Sequence, residues 1–274
     1  MRWHFMQFMN NGAEMTEKVK NREVWLQIKM EENMSILANY LAQLIKAQLN
    51  GEKPVSVPEE IQVEDLIHLS CKNHMEYLVM GALLKTDGIS EEIQGILRSH
   101  VMRSIVRTTT QIMDLKEIIR RFEEKKIVNQ PMKGAQMKFI YPSPEMREMS
   151  DIDILIRHDC MDRAAEELKD MGYVLEQAIK HHDIYVKEPF MVVEAHRAMY
   201  DKTVDNNQYE YFSNFSKAIL KKGYKYTYDF NDEDFYIYMI AHMAKHFYVK
   251  GCGVRNLVDI YVYSSRSSCR IMIK

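Results

Sequence analysis

The sequence is organised around residues 133–153, which read KGAQMKFIYPSPEMREMSDID and lead into the apolar run 154–156. Residues 151–155 alternate as a β-strand does, and side chains at i and i+2 of a strand point to the same face. Asp151 and Asp153 therefore share a face, on which two carboxylates repel each other unless they are solvated or hold a cation. Mg²⁺ is typically bound by one or two carboxylates together with substrate phosphates. The pattern leaves open a metal site and a solvated strand end.

The composition indicates an ordinary globular protein. The chain has 274 residues, of which 46% are hydrophobic and 28% charged, and its formal net charge is −2. Such a charge gives no overall attraction to nucleic acid or to an acidic membrane. The four cysteines have neither the paired spacing of a zinc knuckle nor the density of a disulfide scaffold. There is no run of about 20 apolar residues, so we expect a cytoplasmic protein without a membrane segment.

The first 125 residues have the three- and four-residue apolar spacing of amphipathic helices. Residues 1–22 lack this spacing and are expected to fray, as chain termini do. Helices are predicted over residues 23–50, 59–72, 77–84 and 91–125. We therefore expect an N-terminal helical region over residues 1–125.

The apolar period changes at residue 126, where strands and helices begin to alternate. Strands are predicted over residues 127–132, 151–155, 183–187 and 190–196, and helices over residues 135–141 and 159–171. Asp159 is expected to cap the second of these helices and Gly172 to end it. We expect a catalytic α+β core over residues 126–200 and a C-terminal helical region over residues 201–274. Residues 264–270 end the last amphipathic pattern abruptly, so we expect the chain to be shortened or altered at this end.

Lys133 and Gly134 stand where a predicted strand gives way to a helix. The first turn of a helix has free backbone N–H groups that suit a phosphate. Gly134 would let a ligand approach the backbone closely, and Lys133 would add a positive charge. Arg147 lies just before the aspartates, where it could clamp a phosphate or neutralise Asp151. The alternative for the first pair is an ordinary turn with a surface lysine.

Glu194 is an acidic residue inside the apolar strand predicted over residues 190–196, and acidic residues are rarely buried without a partner. If this strand lies beside the one with Asp151 and Asp153, Glu194 joins them as a third carboxylate. It could then bind a cation or act as a general base toward a hydroxyl. His196 shares the face of Glu194 at i+2. The alternative is an edge strand with Glu194 facing water.

Several histidines are candidates for a substrate pocket. His242 and His246 are four residues apart on one predicted helix, a spacing that can bind zinc, but no Glu follows His242 and Lys245 lies between them. We therefore favour polar residues that line a pocket or belong to a satisfied core over a metal site. The predicted pocket residues are His182, His196, His242, Lys245 and His246. Arg255 and Asp259, also four residues apart, are most simply interpreted as a helical ion pair.

These pieces together resemble the uncharacterised nucleotidyltransferase family of the DNA polymerase β-like superfamily. The residues that carry the resemblance are Lys133-Gly134, Tyr141-Pro142, Arg147 to Ile156 and Val193 to His196. The resemblance implies an α+β fold with a small mixed sheet, flanked by N- and C-terminal helical regions. It also implies that Asp151 and Asp153 bind two Mg²⁺ (or Mn²⁺) ions with a triphosphate and that Glu194 is the third acid. Lys133-Gly134 stands where many relatives have Gly-Ser.

The implied reaction moves an NMP group from an NTP to an acceptor hydroxyl or amine, with Lys133, Gly134 and Arg147 holding the phosphates. We expect a small-molecule acceptor rather than RNA or protein. One alternative is a regulatory protein that binds a nucleotide without transfer. Another is a toxin-like transferase acting on tRNA, which a basic stripe would support. The lysines that could form such a stripe, Lys217, Lys221, Lys222 and Lys225, fit a solvated face equally well.

Overall fold

The fold is built on a five-stranded sheet. The structure, a computed structural model, describes residues 34–203 and 206–266. The strands of the sheet are β1 (Asn129–Pro131), β2 (Ile152–Ile156), β3 (Val174–Ala178), β4 (His182–Lys187) and β5 (Met191–His196). They lie in the order β1-β2-β5-β4-β3, and the central pair β2 and β5 is parallel while the other neighbours are antiparallel. A separate antiparallel pair consists of β6 (Ala218–Leu220) and β7 (Tyr228–Phe230).

Helices from the parts of the chain before and after these strands pack around the sheet. In chain order they are α1 (34–50), α2 (Val63–Lys72), α3 (Glu76–Leu83), α4 (Glu91–Glu124), α5 (Gly134–Met137), α6 (Met161–Asp170), α7 (Asn206–Phe212), α8 (Asp232–Lys250) and α9 (Val254–Arg266). Ser90 is the N-cap of α4, and its side chain accepts a hydrogen bond from the backbone N–H of Ile93. No helix in the described ranges is long and apolar enough to cross a bilayer.

Two hydrophobic clusters hold these elements together. One lies between the sheet and the helices α4 and α6, and includes Ile118, Ile154 and Leu168. The other joins the N-terminal helices to α8 and α9. Every residue of β2 is buried, as expected for a central strand that is covered on both faces. Asp153, the acidic residue of β2, therefore lies inside the protein.

The predicted α+β fold class with a small mixed sheet between helical regions is confirmed. Three expectations were wrong. Asp159 does not cap α6, because its carboxylate accepts hydrogen bonds from the Arg157 guanidinium at 2.6 and 2.9 Å. The edge strand β3 was not predicted, since its side chains are all exposed and lack a buried face. The pair β6 and β7 lies in the region predicted to be helical.

The predicted division at residues 125 and 200 falls at the end of α4 and after β5. The cluster that joins the N-terminal helices to α8 and α9 takes residues from all three predicted parts. We therefore propose the division as one of sequence pattern and not of independent folding units. The predicted fraying over residues 1–22 and the start of the first helix lie outside the described residues, as does most of the expected C-terminal alteration.

Lys138, at the end of α5, is a buried charge. Its side chain is fully buried, and its Nζ has no hydrogen-bond partner among the described atoms. Burial, together with the nearby Arg147, lowers the pKa of Lys138 to about 8. The folded state therefore binds this proton less tightly than the unfolded state does. The resulting loss of stability is complete below pH 8 and disappears as the pH rises above the ordinary lysine pKa.

Lys138→Met is expected to raise the free energy of unfolding by about 1–3 kcal/mol near pH 7, because the substitution removes a buried unpaired ammonium. Urea unfolding monitored by circular dichroism measures the change. Lys169→Met, at an exposed position on α6, serves as the control and is expected to change stability by no more than about 0.5 kcal/mol. Equal stability of wild type and Lys138→Met would show that the ammonium is solvated.

Candidate active site

The parallel pairing of β2 and β5 places two carboxylates side by side. Asp153 lies directly opposite Glu194 in the strand register. Because paired residues of neighbouring strands point to the same face, the two side chains project together. β5 lies between β2 and β4 and is therefore not an edge strand. Glu194 therefore lies on a strand adjacent to the one with Asp153, as its expected role as a third carboxylate requires.

Asp153 is the centre of a charged cluster. Its Oδ1 lies 2.6 Å from Lys133 Nζ and 2.9 Å from His196 Nε2. His196 Nε2 also lies 3.1 Å from Glu194 Oε2. Burial disfavours the charge on Asp153, but Lys133 and His196 outweigh it and hold the pKa of Asp153 well below its usual range. Asp153 is therefore ionised despite being buried.

The same contacts set the charge of the neighbouring groups. The hydrogen bond from His196 is the main reason that the pKa of Glu194 is lowered. Burial opposes the charge on His196, but the bonds to Asp153 and Glu194 raise its pKa overall. Burial opposes the charge on Lys133 too, and Asp153 more than offsets it, so the pKa of Lys133 is raised. Lys133 and His196 thus both favour the ionised forms of the two carboxylates.

Lys133 has an unfavourable backbone conformation, with φ of 48° and ψ of −121°. This left-handed region favours glycine, and another residue there costs on the order of 1–3 kcal/mol. A lysine at this position is explained by its side chain, which reaches Asp153. At the adjacent Gly134, an added Cβ would lie 3.0 Å from the Cβ of Met149, so a larger residue there would require Met149 to shift. The close neighbour of Gly134 is therefore the Met149 side chain of the protein itself.

Asp151 lies just before β2 and on the cleft that contains Asp153. Burial, with the negative charge of Asp153 next, raises the pKa of Asp151 to about 6. Lys133 lowers it only in part. At neutral pH the carboxylate of Asp151 is therefore ionised at a cost in free energy, which a bound cation would remove.

Arg147 is committed to contacts within the protein. Its Nε donates to Asp259 Oδ1 at 2.7 Å, and its Nη1 donates to the carbonyl oxygen of Glu148. Tyr141 donates to the same Asp259 oxygen at 2.8 Å. The predicted ion pair between Arg255 and Asp259 was therefore wrong, because Asp259 pairs with Arg147 instead. A direct phosphate contact by Arg147 would have to compete with this buried ion pair.

Arg255 is a site residue that sequence reasoning missed, because its spacing to Asp259 already gave it a partner. It lines the same cleft as Lys133 and Asp151. Its Nη1 lies 3.5 Å from the carbonyl oxygen of Glu148, and no carboxylate in the described ranges forms an ion pair with it. Burial and then the neighbouring Arg147 lower the pKa of Arg255. This guanidinium therefore lies in a place that favours an anion.

The cleft lies between the sheet and the C-terminal helices. From α8 it is lined by Tyr238, His242 and His246, among others. His242 Nε2 and His246 Nε2 are 3.0 Å apart, and burial, followed by the charge of Lys133, lowers the pKa of His242 well below its ordinary value.

The five predicted pocket residues are divided between three places. His242 and His246 line the cleft. His182 and His196 lie in the sheet beside Glu194, and are directly paired across β4 and β5. Lys245 Nζ lies 5.7 Å from the centroid of the Tyr200 ring and is not among the residues that line the cleft.

A mixed sheet that presents neighbouring carboxylates beside a cleft with Lys133 and Arg255 has the features of a nucleotidyltransferase. The sequence profile of the family described as uncharacterised nucleotidyltransferase matches residues 59–271, which is most of the chain. The protein belongs to this family. The resemblance noted from the sequence is thereby confirmed, and nucleotidyl transfer is supported as its general activity.

Three solved structures resemble the chain distantly. A solution structure of the antibiotic-resistance factor ANT(2'')-Ia is 10% identical, with a TM-score of 0.43 over 58% of this chain and 84% of that chain. A crystal structure of ANT(2'')-Ia in complex with adenylyl-2''-tobramycin is 9% identical, with a TM-score of 0.43 over 57% and 88%. An antigenic nucleotidyltransferase-like protein from Paracoccidioides brasiliensis is 14% identical, with a TM-score of 0.38 over 58% and 77%. No curated protein is significantly similar in sequence.

Asp151→Asn is expected to stabilise the metal-free protein. The folded pKa of about 6 lies above the ordinary aspartate value of 3.8, so ionised Asp151 destabilises the fold above pH 6 and ceases to do so as the pH falls toward 3.8. The gain should be on the order of 1–2 kcal/mol at about pH 7.5, and smaller at about pH 5.

Thermal unfolding in the presence of a chelator, at both pH values, measures this gain. Asp170→Asn, an exposed position at the end of α6, is the matched control and should leave the midpoint unchanged. A midpoint that falls in Asp151→Asn at both pH values would mean that the ionised carboxylate stabilises the fold.

Proposed function

We propose that the protein is a metal-dependent nucleotidyltransferase that moves an NMP group from an NTP to an acceptor hydroxyl or amine. The observation that carries the proposal is the pairing of Asp153 with Glu194 across the parallel strands, with Asp151 and Asp153 on a cleft that Lys133 and Arg255 also line. Membership of the nucleotidyltransferase family supports the reaction class. Catalysis in this class depends mainly on positioning and on charge.

The three carboxylates suit divalent cations. Burial and the charge of Asp153 raise the pKa of Asp151. A cation bound beside this carboxylate would therefore relieve the free-energy cost of ionising it. Carboxylate oxygens are the ligands that Mg²⁺ and Mn²⁺ prefer. Bound ions would supply positive charge to the attacking and the leaving oxygen of the phosphoryl group. Asp151, Asp153 and Glu194 would hold these ions.

The phosphate groups are assigned to Lys133, Gly134 and Arg255. Lys133 Nζ can move from Asp153 toward an anion in the cleft, since its side chain is 25% exposed. Arg255 offers a planar set of donors that matches a phosphate. Arg147, predicted as a phosphate ligand, is proposed instead to position the guanidinium of Arg255. It does so by holding Asp259, which lies on α9 four residues after Arg255.

In the proposed reaction, an oxygen or nitrogen of the acceptor attacks the α-phosphorus of the NTP. A bond forms between the acceptor atom and phosphorus, the bond from phosphorus to the bridging α–β oxygen breaks, and pyrophosphate leaves with that electron pair. Glu194 accepts the proton of the acceptor, and His196, 3.1 Å away, positions the Glu194 carboxylate for this role.

A small-molecule acceptor fits the site better than RNA does. The lysines predicted as a possible basic stripe are partly engaged locally, since Lys217 Nζ lies 4.0 Å from the centroid of the Tyr211 ring and Lys221 Nζ lies 3.4 Å from Asp229. His182, His242 and His246 are proposed to contact the acceptor or the nucleotide base. The free thiols of Cys71, Cys160 and Cys252 support a reducing, cytoplasmic location.

NTP with Mg²⁺ is expected to raise the thermal midpoint of the wild type, because a ligand that binds only the folded state stabilises it. The shift should require both NTP and metal, and should be lost in Asp151→Asn combined with Asp153→Asn. Each NTP is tested with and without Mg²⁺ by differential scanning fluorimetry. A folded wild-type protein that none of the NTPs shifts would refute nucleotide transfer.

Arg255→Gln is expected to weaken NTP binding by roughly 10- to 100-fold, the usual worth of a hydrogen bond to a charged group. Binding of the matching NMP should change much less, since the proposal assigns Arg255 to the β- and γ-phosphates. Isothermal titration calorimetry measures both affinities. Arg98→Gln, an exposed arginine on α4, is the control. Equal losses for NTP and NMP would remove Arg255 from the triphosphate site.

A further inference from the structure

Three side chains next to the proposed catalytic carboxylates form a second type of ligand set. His182, Glu194 and His196 each offer one ligand atom, and within the described residues these three atoms lie within 4.8 Å of one another. Glu194 Oε2 lies 3.1 Å from His196 Nε2 and 4.0 Å from His182 Nε2. The longer separation exceeds a hydrogen bond and leaves space between the two atoms.

We propose that His182, Glu194 and His196 bind a transition-metal ion of the Zn²⁺ or Co²⁺ type. This inference rests on the proposed function only for the use of the ion, and the binding itself does not depend on nucleotide transfer. It divides the site into two kinds of metal position, one with the oxygen ligands of Asp151 and Asp153 and one with the mixed set around Glu194. An ion in the mixed set would occupy the Glu194 carboxylate and would have to leave before Glu194 could accept the acceptor's proton.

The distances fit a tetrahedral ion. Zinc bonds to nitrogen and oxygen are about 2.0–2.2 Å long, so two ligands of a tetrahedral ion are about 3.3–3.5 Å apart. The two separations from Glu194 Oε2, 3.1 and 4.0 Å, lie on either side of this value. Small rotations of the His182 ring would bring its Nε2 into range. The fourth position is left for Asp153 or water.

The strand pairing makes this ligand set rigid. His182 on β4 is directly opposite His196 on β5, and Glu194 is two residues before His196 on the same strand. The pleat of the sheet therefore directs the three side chains to one face. Ligands on paired strands are held more precisely than ligands on loops. Asp153 lies on the adjacent strand, with its Oδ1 2.9 Å from His196 Nε2.

The donor chemistry selects the ion. Imidazole nitrogen suits zinc, cobalt and other first-row transition metals, whereas magnesium and calcium prefer an environment of oxygen ligands only. Two imidazoles and one carboxylate also form the protein ligand set of known zinc sites that keep the fourth position open. The set should therefore bind a transition metal much more tightly than Mg²⁺.

The test is a titration of the full-length protein with Co²⁺ in the absence of nucleotide, following the visible d–d absorption of the ion in a low-symmetry site. We expect a band in the wild type that Zn²⁺ removes and that excess Mg²⁺ leaves in place. Replacing one ligand, in His182→Ala, should weaken Co²⁺ binding by at least about tenfold. Circular dichroism verifies that the variant is folded.

The matched control is the double variant His242→Ala with His246→Ala, which removes the other close histidine pair and should keep the band. No band in the folded wild type would overturn the proposal. So would a band that Mg²⁺ displaces, or one that the double variant loses while His182→Ala keeps it. Because nucleotide is absent, a protein that binds Co²⁺ but is not stabilised by any NTP would lose the proposed function and keep this inference.

Discussion

The ionised carboxylate of Asp153, buried in a central strand, is the constraint on which the rest of the site depends. A buried charge costs several kcal/mol unless it is paired and hydrogen-bonded. The pairing comes from two directions, from Lys133 in the strained turn after β1 and from His196 on the neighbouring strand. The unfavourable backbone of Lys133 follows from the need to neutralise this one group, whereas the in-register Glu194 adds a second negative charge beside it, which His196 offsets. The ammonium of Lys133, which stabilises Asp153 in the fold, is also the group that a bound cation would replace beside this carboxylate.

A second buried ion pair connects this cluster to the outer helices. Arg147 precedes the aspartates in the chain and binds Asp259 on α9, while Glu148 accepts hydrogen bonds from the backbone of Glu76 and Tyr77 at the start of α3. One short segment thus contacts the C-terminal helix, the N-terminal helices and the sheet. The walls of the cleft and the carboxylates at its base are therefore held in one frame, which supports catalysis by positioning.

The sequence predicted those features that depend on local periodicity. The alternation of a strand placed Glu194 and His196 on one face, whereas Asp151 lies just before β2 and shares a cleft with Asp153 without belonging to the strand. The sequence did not predict which of the two arginines that line the cleft pairs with Asp259, because Arg147 and Asp259 are 112 residues apart and only packing brings them together. The local spacing of Arg255 and Asp259 indicated the wrong pair. The strand β3 escaped prediction because all of its residues are exposed, and β6 because it has only three residues and is largely exposed, so no buried face marks either in the sequence.

The ion pair between Arg147 and Asp259 also has a consequence for the order of assembly during synthesis. The ribosome releases Arg147 and the three carboxylates long before it releases Asp259, since the chain grows from its N-terminus. Until α9 has been made and has docked, the guanidinium of Arg147 lacks the acid that it pairs with in the finished protein, and one wall of the cleft is missing. The carboxylate strands can pair earlier, but the cleft has both of its walls only once α9 has been made and has docked. Docking of α9 therefore completes the cleft.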